Sequence, residues 1–362
     1  MLCLKDYEEY AKKHVDSKTW AFYSQGAERE RTLRENLQCY FRYTIIPRML
    51  RNTNNRDLSV TVLGERISIP VGIAPTAYQK LAHPEGEMAS SRAAGEMNTI
   101  YTLSTVSTTS IEDLSKNRQY MSPLWMQIYI LKYRSVTEKM IKKAEAHGFK
   151  ALVLTVDTPV TGLQLRLWRK GLTIPPHLSI PNIAEAIPKT NDNAKSSNHI
   201  QNVRLFTETL TWEDLSWIKS ISSLPLVLKG ILTGKDALLA VKHGASAVWV
   251  SNHGGRQLDG VDTALDALPE ICAALAGTNC EIYMDGGIRW GSDIFKALAL
   301  GAKTVFIGRP ALWGLAHSGQ DGVRHVLEIL KNELDRAMHL AGCNSLEDIG
   351  PHLVKKKHIS RI

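Results

Sequence analysis

Ser251-Asn252-His253-Gly254-Gly255-Arg256-Gln257-Leu258-Asp259 sets a proton acceptor three residues from a guanidinium, with two glycines between them. An imidazole exchanges a proton near neutral pH. A guanidinium grips a carboxylate through two parallel hydrogen bonds. Together they are the groups that removal of a proton from a hydroxy acid would use. Gly254 and Gly255 allow a tight turn and let a flat ring approach without a Cβ in the way. A glycine-rich loop with a solvated histidine and arginine is the plain alternative, and only the surrounding chain decides between them.

The motif follows the apolar run Ala247 to Val250, which reads as a buried parallel strand. Similar runs recur at Ile69 to Ala74, Thr99 to Ser104, Leu124 to Tyr129, Ala151 to Val156, Leu224 to Lys229, Glu281 to Asp285 and Thr304 to Ile307. Helical patterns lie between most of them, as at Ser135 to His147, Gly234 to His243 and Trp290 to Leu300, each stopped by a glycine. Eight strands alternating with helices predict an α/β fold, a closed (β/α)8 TIM barrel. A doubly wound sheet fits less well, because no G-x-G-x-x-G follows the first strand. The chain reads as one domain of 362 residues. A helical extension is expected over 1–65, the barrel over 66–345 with a mobile loop at about 171–205, and a solvated tail over 346–362.

Bulk properties narrow the function. The net charge of +8 is spread out, apart from Lys355-Lys356-Lys357, so nucleic-acid binding finds no basic stripe. There is no run of eighteen apolar residues, so no membrane partner is expected. Five cysteines without paired spacing suggest reduced thiols and no metal site. The closing tripeptide Ser360-Arg361-Ile362 resembles the Ser-Lys-Leu address, which would make the peroxisomal import receptor a partner and the peroxisome the location.

In such barrels the chemistry belongs to the C-terminal strand ends, and here nearly every end is polar. Pro75, Thr76 and Ala77 follow the first strand, Ser104 ends the second, Gln127 and Tyr129 the third, and Thr155 and Asp157 the fourth. Lys229 ends the fifth, and Ser251, His253 and Arg256 follow the sixth. Asp285, Gly287 and Arg289 follow the seventh, and Gly308 and Arg309 the eighth. So many hydrogen-bonding groups imply a sizeable polar ligand, and the last two loops offer backbone N–H groups and guanidinium groups suited to a phosphate. Lys229 could face an anionic ring or form a Schiff base.

These residues together resemble the FMN-dependent 2-hydroxy-acid oxidase family, which includes glycolate oxidase. The resemblance runs from Tyr7 to about Leu346 and rests on SNHGGRQLD, LKGI at 228–231, DGGIR and IGRP at 307–310. It implies FMN as cofactor, a small-molecule 2-hydroxy acid substrate and O2 as partners, and a homotetramer. The likeness is greatest to the peroxisomal type acting on longer chains. Carried over, His253 is the catalytic base and Asp157 the carboxylate that orients it. Arg256 is the substrate-carboxylate arginine, and Tyr129 the hydroxyl beside the substrate. The flavin positions become Pro75, Thr76, Ala77, Ser104, Gln127, Thr155, Lys229, Ser251, Asp285, Gly287, Arg289, Gly308 and Arg309.

Three substrate positions depart from the family pattern. Phe22 stands where a tyrosine four residues before the Gly-Ala pair is usual. Val106 replaces a tryptophan, which implies a wider pocket for long aliphatic or aromatic hydroxy acids. Gln164 replaces an arginine, with Arg166 two residues on. The expected activity is oxidation of a medium- or long-chain (S)-2-hydroxy acid to the 2-oxo acid with hydrogen peroxide formed. A flavin-binding barrel with impaired turnover, or a dehydrogenase using another acceptor, is the alternative.

Overall fold

The computed structural model describes residues 1–171, 174–186 and 205–357. Eight short strands close a parallel barrel: β4 (Val71–Ile73), β5 (Tyr101–Leu103), β6 (Leu124–Ile128), β7 (Ala151–Thr155), β8 (Leu226–Ile231), β9 (Ala247–Val250), β10 (Glu281–Asp285) and β11 (Thr304–Ile307). Each strand pairs with the next in sequence, and β11 returns to β4. Helices α4 (Gly86–Glu96), α5 (Ile111–Lys116), α6 (Arg134–Ala146), α7 (Leu165–Lys170), α8 (Glu213–Ile221), α9 (Gly234–Lys242), α10 (Ala264–Ala274), α11 (Gly291–Ala299) and α12 (Arg309–Ala341) fall between or after them. The TIM barrel expected from the apolar runs is the fold.

Side chains fill the barrel. Trp125, Val153, Val227, Trp249, Tyr283 and Phe306 point inward, with the Trp249 and Phe306 rings stacked at 3.8 Å. Val62 and Ile67, from the hairpin of β2 (Val60–Val62) and β3 (Glu65–Ile67), join that cluster and plug the N-terminal end. A ligand must therefore enter from the opposite end.

The extension contains α1 (Leu4–His14), α2 (Ser17–Ser24) and α3 (Arg31–Gln38), but it is not helical throughout. Its strand β1 (Tyr43–Ile45) pairs antiparallel with β12 (Val354–Lys356). The aromatic and β-branched residues of Tyr43-Thr44-Ile45 suit a strand, and Val354 gives them a partner. The lysine run expected in a solvated tail is thus partly structural, for Lys356 Nζ meets Asp266 at 3.0 Å.

Part of the segment expected to be a mobile loop is anchored. Ile174, Ile180 and Ile183 are buried. Asn182 accepts from Ile111 N at 3.0 Å and donates to Ser107 Oγ at 2.8 Å. Residues 172–173 and 187–204, with most of the polar stretch, lie outside the described residues, as does Ser360-Arg361-Ile362.

Candidate active site

The turn after β9 is built from three successive residues in the left-handed region: His253, Gly254 and Gly255, with φ of 58°, 65° and 73°. Only glycine adopts that backbone without a steric penalty, so His253 carries a local cost of order 1–3 kcal/mol. Its amide is fixed by Ser251 Oγ at 3.0 Å. The glycines also admit neighbours: a Cβ on Gly255 would lie 2.6 Å from Leu33 N, and one on Gly254 2.8 Å from Arg309 Nη1. What approaches closely is therefore α3 and an arginine, which the sequence did not suggest.

His253 Nδ1 lies 2.8 Å from Asp157 Oδ1, and Thr158 Oγ1 donates to the same oxygen at 2.9 Å. Burial pushes the Asp157 carboxyl up, but the charge and hydrogen bond of His253, aided by Lys229, pull it below its ordinary value. Asp157 is thus held ionised, and Nδ1 is the ring atom that carries the hydrogen, leaving Nε2 to accept one. Asp157 Oδ2 is buried with no partner among the described residues, an arrangement costing about 1–3 kcal/mol. Gly230, at φ 111°, makes room for this carboxylate, since its Cβ would lie 2.7 Å from that of Asp157.

A cavity of about 270 Å³ opens at this end of the barrel. It is lined by all but two of the expected site residues: Phe22, Pro75, Thr76, Ala77, Ser104, Val106, Gln127, Tyr129, Thr155, Gln164, Lys229, His253, Arg256, Asp285, Gly287, Arg289, Gly308 and Arg309. Asp157 stands behind His253. Ser251 is fully buried and also lies behind the wall, where it donates to Asp285 Oδ1 at 2.6 Å and accepts from Lys229 Nζ at 3.1 Å. It is placed to orient Lys229 rather than to touch a ligand. The Lys229 ammonium also pairs with Asp285 Oδ2 at 3.4 Å, which makes it a tethered cation and not a free amine.

Hydrogen-bonding groups line the cavity. Gln127 Nε2 donates to Thr155 Oγ1 at 3.1 Å, and its Oε1 accepts from Thr105 N at 3.0 Å. Thr76 Oγ1 accepts from Gln79 Nε2 at 2.7 Å. Apolar side chains, among them Phe22, Val106, Tyr129, Ile174, Phe206 and Leu312, line the cavity as well. Ile174, Phe206 and Leu312 were not expected, because apolar residues in loops carry no signal of chemistry. Tyr129 packs on Phe206 at 4.4 Å between centroids, and burial followed by the Asp157 charge raises its phenol above the ordinary value.

Three guanidinium groups face this space, and each donates to a main-chain carbonyl, Arg289 to that of Ile288 at 3.0 Å. Arg256 Nη1 donates to Phe22 O at 2.6 Å and Gln25 O at 3.3 Å. Arg309 donates to Tyr23 O at 2.9 Å, Gly254 O at 3.0 Å and Gln25 O at 2.8 Å. These carbonyls belong mostly to the end of α2, where a helix carries about half a negative charge. Arg289 lies 3.8 Å from Glu8. Burial pushes Arg256 down to about 10. Burial and then the like charges of Arg256 and Arg289 push Arg309 down to about 9. Charge so confined is relieved by an anion.

The departures are resolved by geometry. The Phe22 ring lies under Arg256 at 5.0 Å, a cation–π contact worth about 0.5–2 kcal/mol. The neighbouring Tyr23 hydroxyl turns away to donate to Tyr78 O at 2.7 Å, so it does not stand in for a hydroxyl at position 22. Arg166 pairs with Glu30 at 2.6 Å on the exposed side. Gln164, buried, therefore does not gain Arg166 as a substitute cation, and Arg256 is the guanidinium three residues from His253.

Inorganic phosphate should bind the flavin-free protein through Arg309, whose buried charge an anion relieves. Arg309→Met should weaken that binding at least about tenfold, as titration calorimetry measures. Unchanged affinity would contradict this assignment.

The residues fit FMN on these grounds: glycine-lined turns and two guanidiniums at β10 and β11 for a phosphate, and amide, hydroxyl and ammonium groups at β4 to β8 for a polar ring. Comparison with known proteins agrees. The model of the FMN-dependent dehydrogenase family matches residues 11–356. The chain is 43% identical to 2-hydroxyacid oxidase 1 of Homo sapiens, over 99% of this chain and 98% of that one. It is 47% identical to an L-lactate oxidase of a Nostoc species, over 96% of each. A mandelate oxidase solved with 3,3-difluoro-2-hydroxy-3-phenylpropionic acid superposes with a TM-score of 0.88 at 38% identity, over 99% of both chains. The chain belongs to the FMN-dependent 2-hydroxy-acid oxidase family, and FMN is its cofactor.

Proposed function

We propose that the protein oxidises medium- or long-chain (S)-2-hydroxy acids to 2-oxo acids and passes the electrons to O2, forming hydrogen peroxide. The observation that carries this reading is that the apolar side chains of Phe22, Val106, Ile174 and Phe206 line the same cavity as His253 and Arg256, with the Phe22 ring against Arg256. Arg256 takes the substrate carboxylate. His253 Nε2 accepts the proton of the 2-hydroxyl, and Asp157 holds the imidazole in the required tautomer and stabilises the cation that forms. Tyr129 offers its hydroxyl beside the substrate, and its raised pKa keeps that proton in place. FMN, when bound, supplies the two-electron acceptor.

Phosphate contacts are assigned to Arg289, Arg309, Gly287 and Gly308. Ring contacts go to Pro75, Thr76, Ala77, Ser104, Gln127, Thr155 and Lys229, with Ser251 and Asp285 holding that lysine. Val106 and Phe22 shape the space for the chain of the substrate. Gln164 stands at its carboxylate end. Assembly as a homotetramer and peroxisomal delivery through Ser360-Arg361-Ile362 belong to the same proposal, the latter resting on the tripeptide alone.

A visible spectrum of the anaerobic holoprotein with 2-hydroxy acids of increasing length tests the reaction. Bleaching by longer members, and recovery in air with peroxide appearing, is the expected outcome. Recovery only with another acceptor would overturn the oxidase assignment, and a colour that nothing bleaches would favour impaired turnover through Gln164. Val106→Trp should lower kcat/KM for a long substrate at least about tenfold while changing glycolate by less than about threefold. Equal losses for both would remove the pocket argument.

A further inference from the structure

Gln25 ends α2 and is fully buried, yet the reaction assigns it no part. Its side chain is used at both ends: Nε2 donates to Gln164 Oε1 at 3.2 Å, and Oε1 accepts from Leu167 N at 2.8 Å. Gln164 is the residue before α7, and its Nε2 reaches Arg256 O at 3.4 Å. The Arg256 guanidinium returns to Gln25 O at 3.3 Å. The three residues thus form a closed ring of hydrogen bonds, Gln25 to Gln164 to Arg256 and back. Gln25 O also accepts from Arg309 Nη2 at 2.8 Å, so one carbonyl is shared by the two guanidiniums with the most depressed pKa values in the cavity.

The surroundings make this ring the inner of two ties between α7 and the extension. The outer tie is the exposed pair of Arg166 with Glu30, and the main chain adds Glu28 N to Leu163 O at 2.8 Å. Exposed ion pairs contribute little, whereas a buried amide that loses its partner bears the full cost of desolvation. The buried ring therefore acts with the main-chain bond of Ala27 N to Gly255 O, 2.8 Å, in setting how α2, α7 and the turn after β9 sit on one another. Neither glutamine carries charge, so the ring fixes Arg256 without neutralising it.

We propose that Gln25 is a positioning residue. Through Gln164 it fixes the main chain of Arg256, and through its own carbonyl it aims the guanidinium, so that the cation meets a carboxylate in one orientation. The inference rests on the reading of Arg256 as the carboxylate site. It predicts that breaking the ring anywhere has the same consequence as breaking it twice, because a ring opened once leaves Arg256 to its bond with Phe22 O alone on this side.

The test uses the FMN-loaded protein and oxalate, a carboxylate with no hydrogen to lose, followed through the visible spectrum of the flavin. Gln25→Met and Gln164→Met should each weaken oxalate binding by about three- to tenfold, with the FMN content unchanged. The double variant should be no weaker than either single one. Where Gln25→Met fails to fold, Gln164→Met opens the same ring from the other side, and the same weakening is expected of it. Unchanged affinity in the single variants, or a double variant weakened by the product of the two effects, would overturn the proposal. An unaltered protein whose spectrum oxalate leaves untouched would instead remove the carboxylate reading beneath it.

Discussion

Arg256 and Arg309 share one cavity wall and answer to carbonyl oxygens rather than to carboxylates. Most other constraints follow from that arrangement. A cation paired with an acidic side chain would be spent, whereas a cation steadied by the end of a helix keeps most of its charge for a ligand. The protein bears the cost in the depressed pKa values of both groups. It also needs a chain segment ahead of the barrel to bring those carbonyls to the mouth. The extension is for this reason part of the site, with α2 supplying acceptors and α3 pressing on the turn that carries His253.

On this frame two sets of groups in the cavity do different work. Main-chain glycines and Arg289 and Arg309 gather at the ends of β10 and β11, and Lys229 stands across at β8, tied to Ser251 and Asp285. His253 lines the same cavity with its Nδ1 held by an ionised Asp157, so the free nitrogen is Nε2. Charge, a proton acceptor and apolar side chains in one cavity suit a molecule with a carboxylate and a hydroxyl beside it.

The barrel strands and the polar residues ending them were legible because burial on both faces leaves continuous apolar runs, and because polar groups there have no structural reason to gather. Ser251 was legible as polar but not as lying behind Lys229, since which layer a side chain occupies depends on its neighbours. Gln25 was invisible for a related reason: its part comes from a carbonyl and from Gln164, 139 residues away. The strand Tyr43–Ile45 was missed because its partner lies at the far end of the described chain. Arg166 could be placed only once its pairing with Glu30 was known, which left Gln164 without a substitute cation.

If confined cations organise the site, the phosphate of FMN should contribute much of its binding and much of the stability of the loaded protein. Thermal unfolding of flavin-free protein with FMN, with riboflavin and with inorganic phosphate measures this directly. Stabilisation by FMN should far exceed that by riboflavin at equal concentration, and phosphate alone should raise the midpoint. Equal stabilisation by FMN and riboflavin, with no effect of phosphate, would contradict the account.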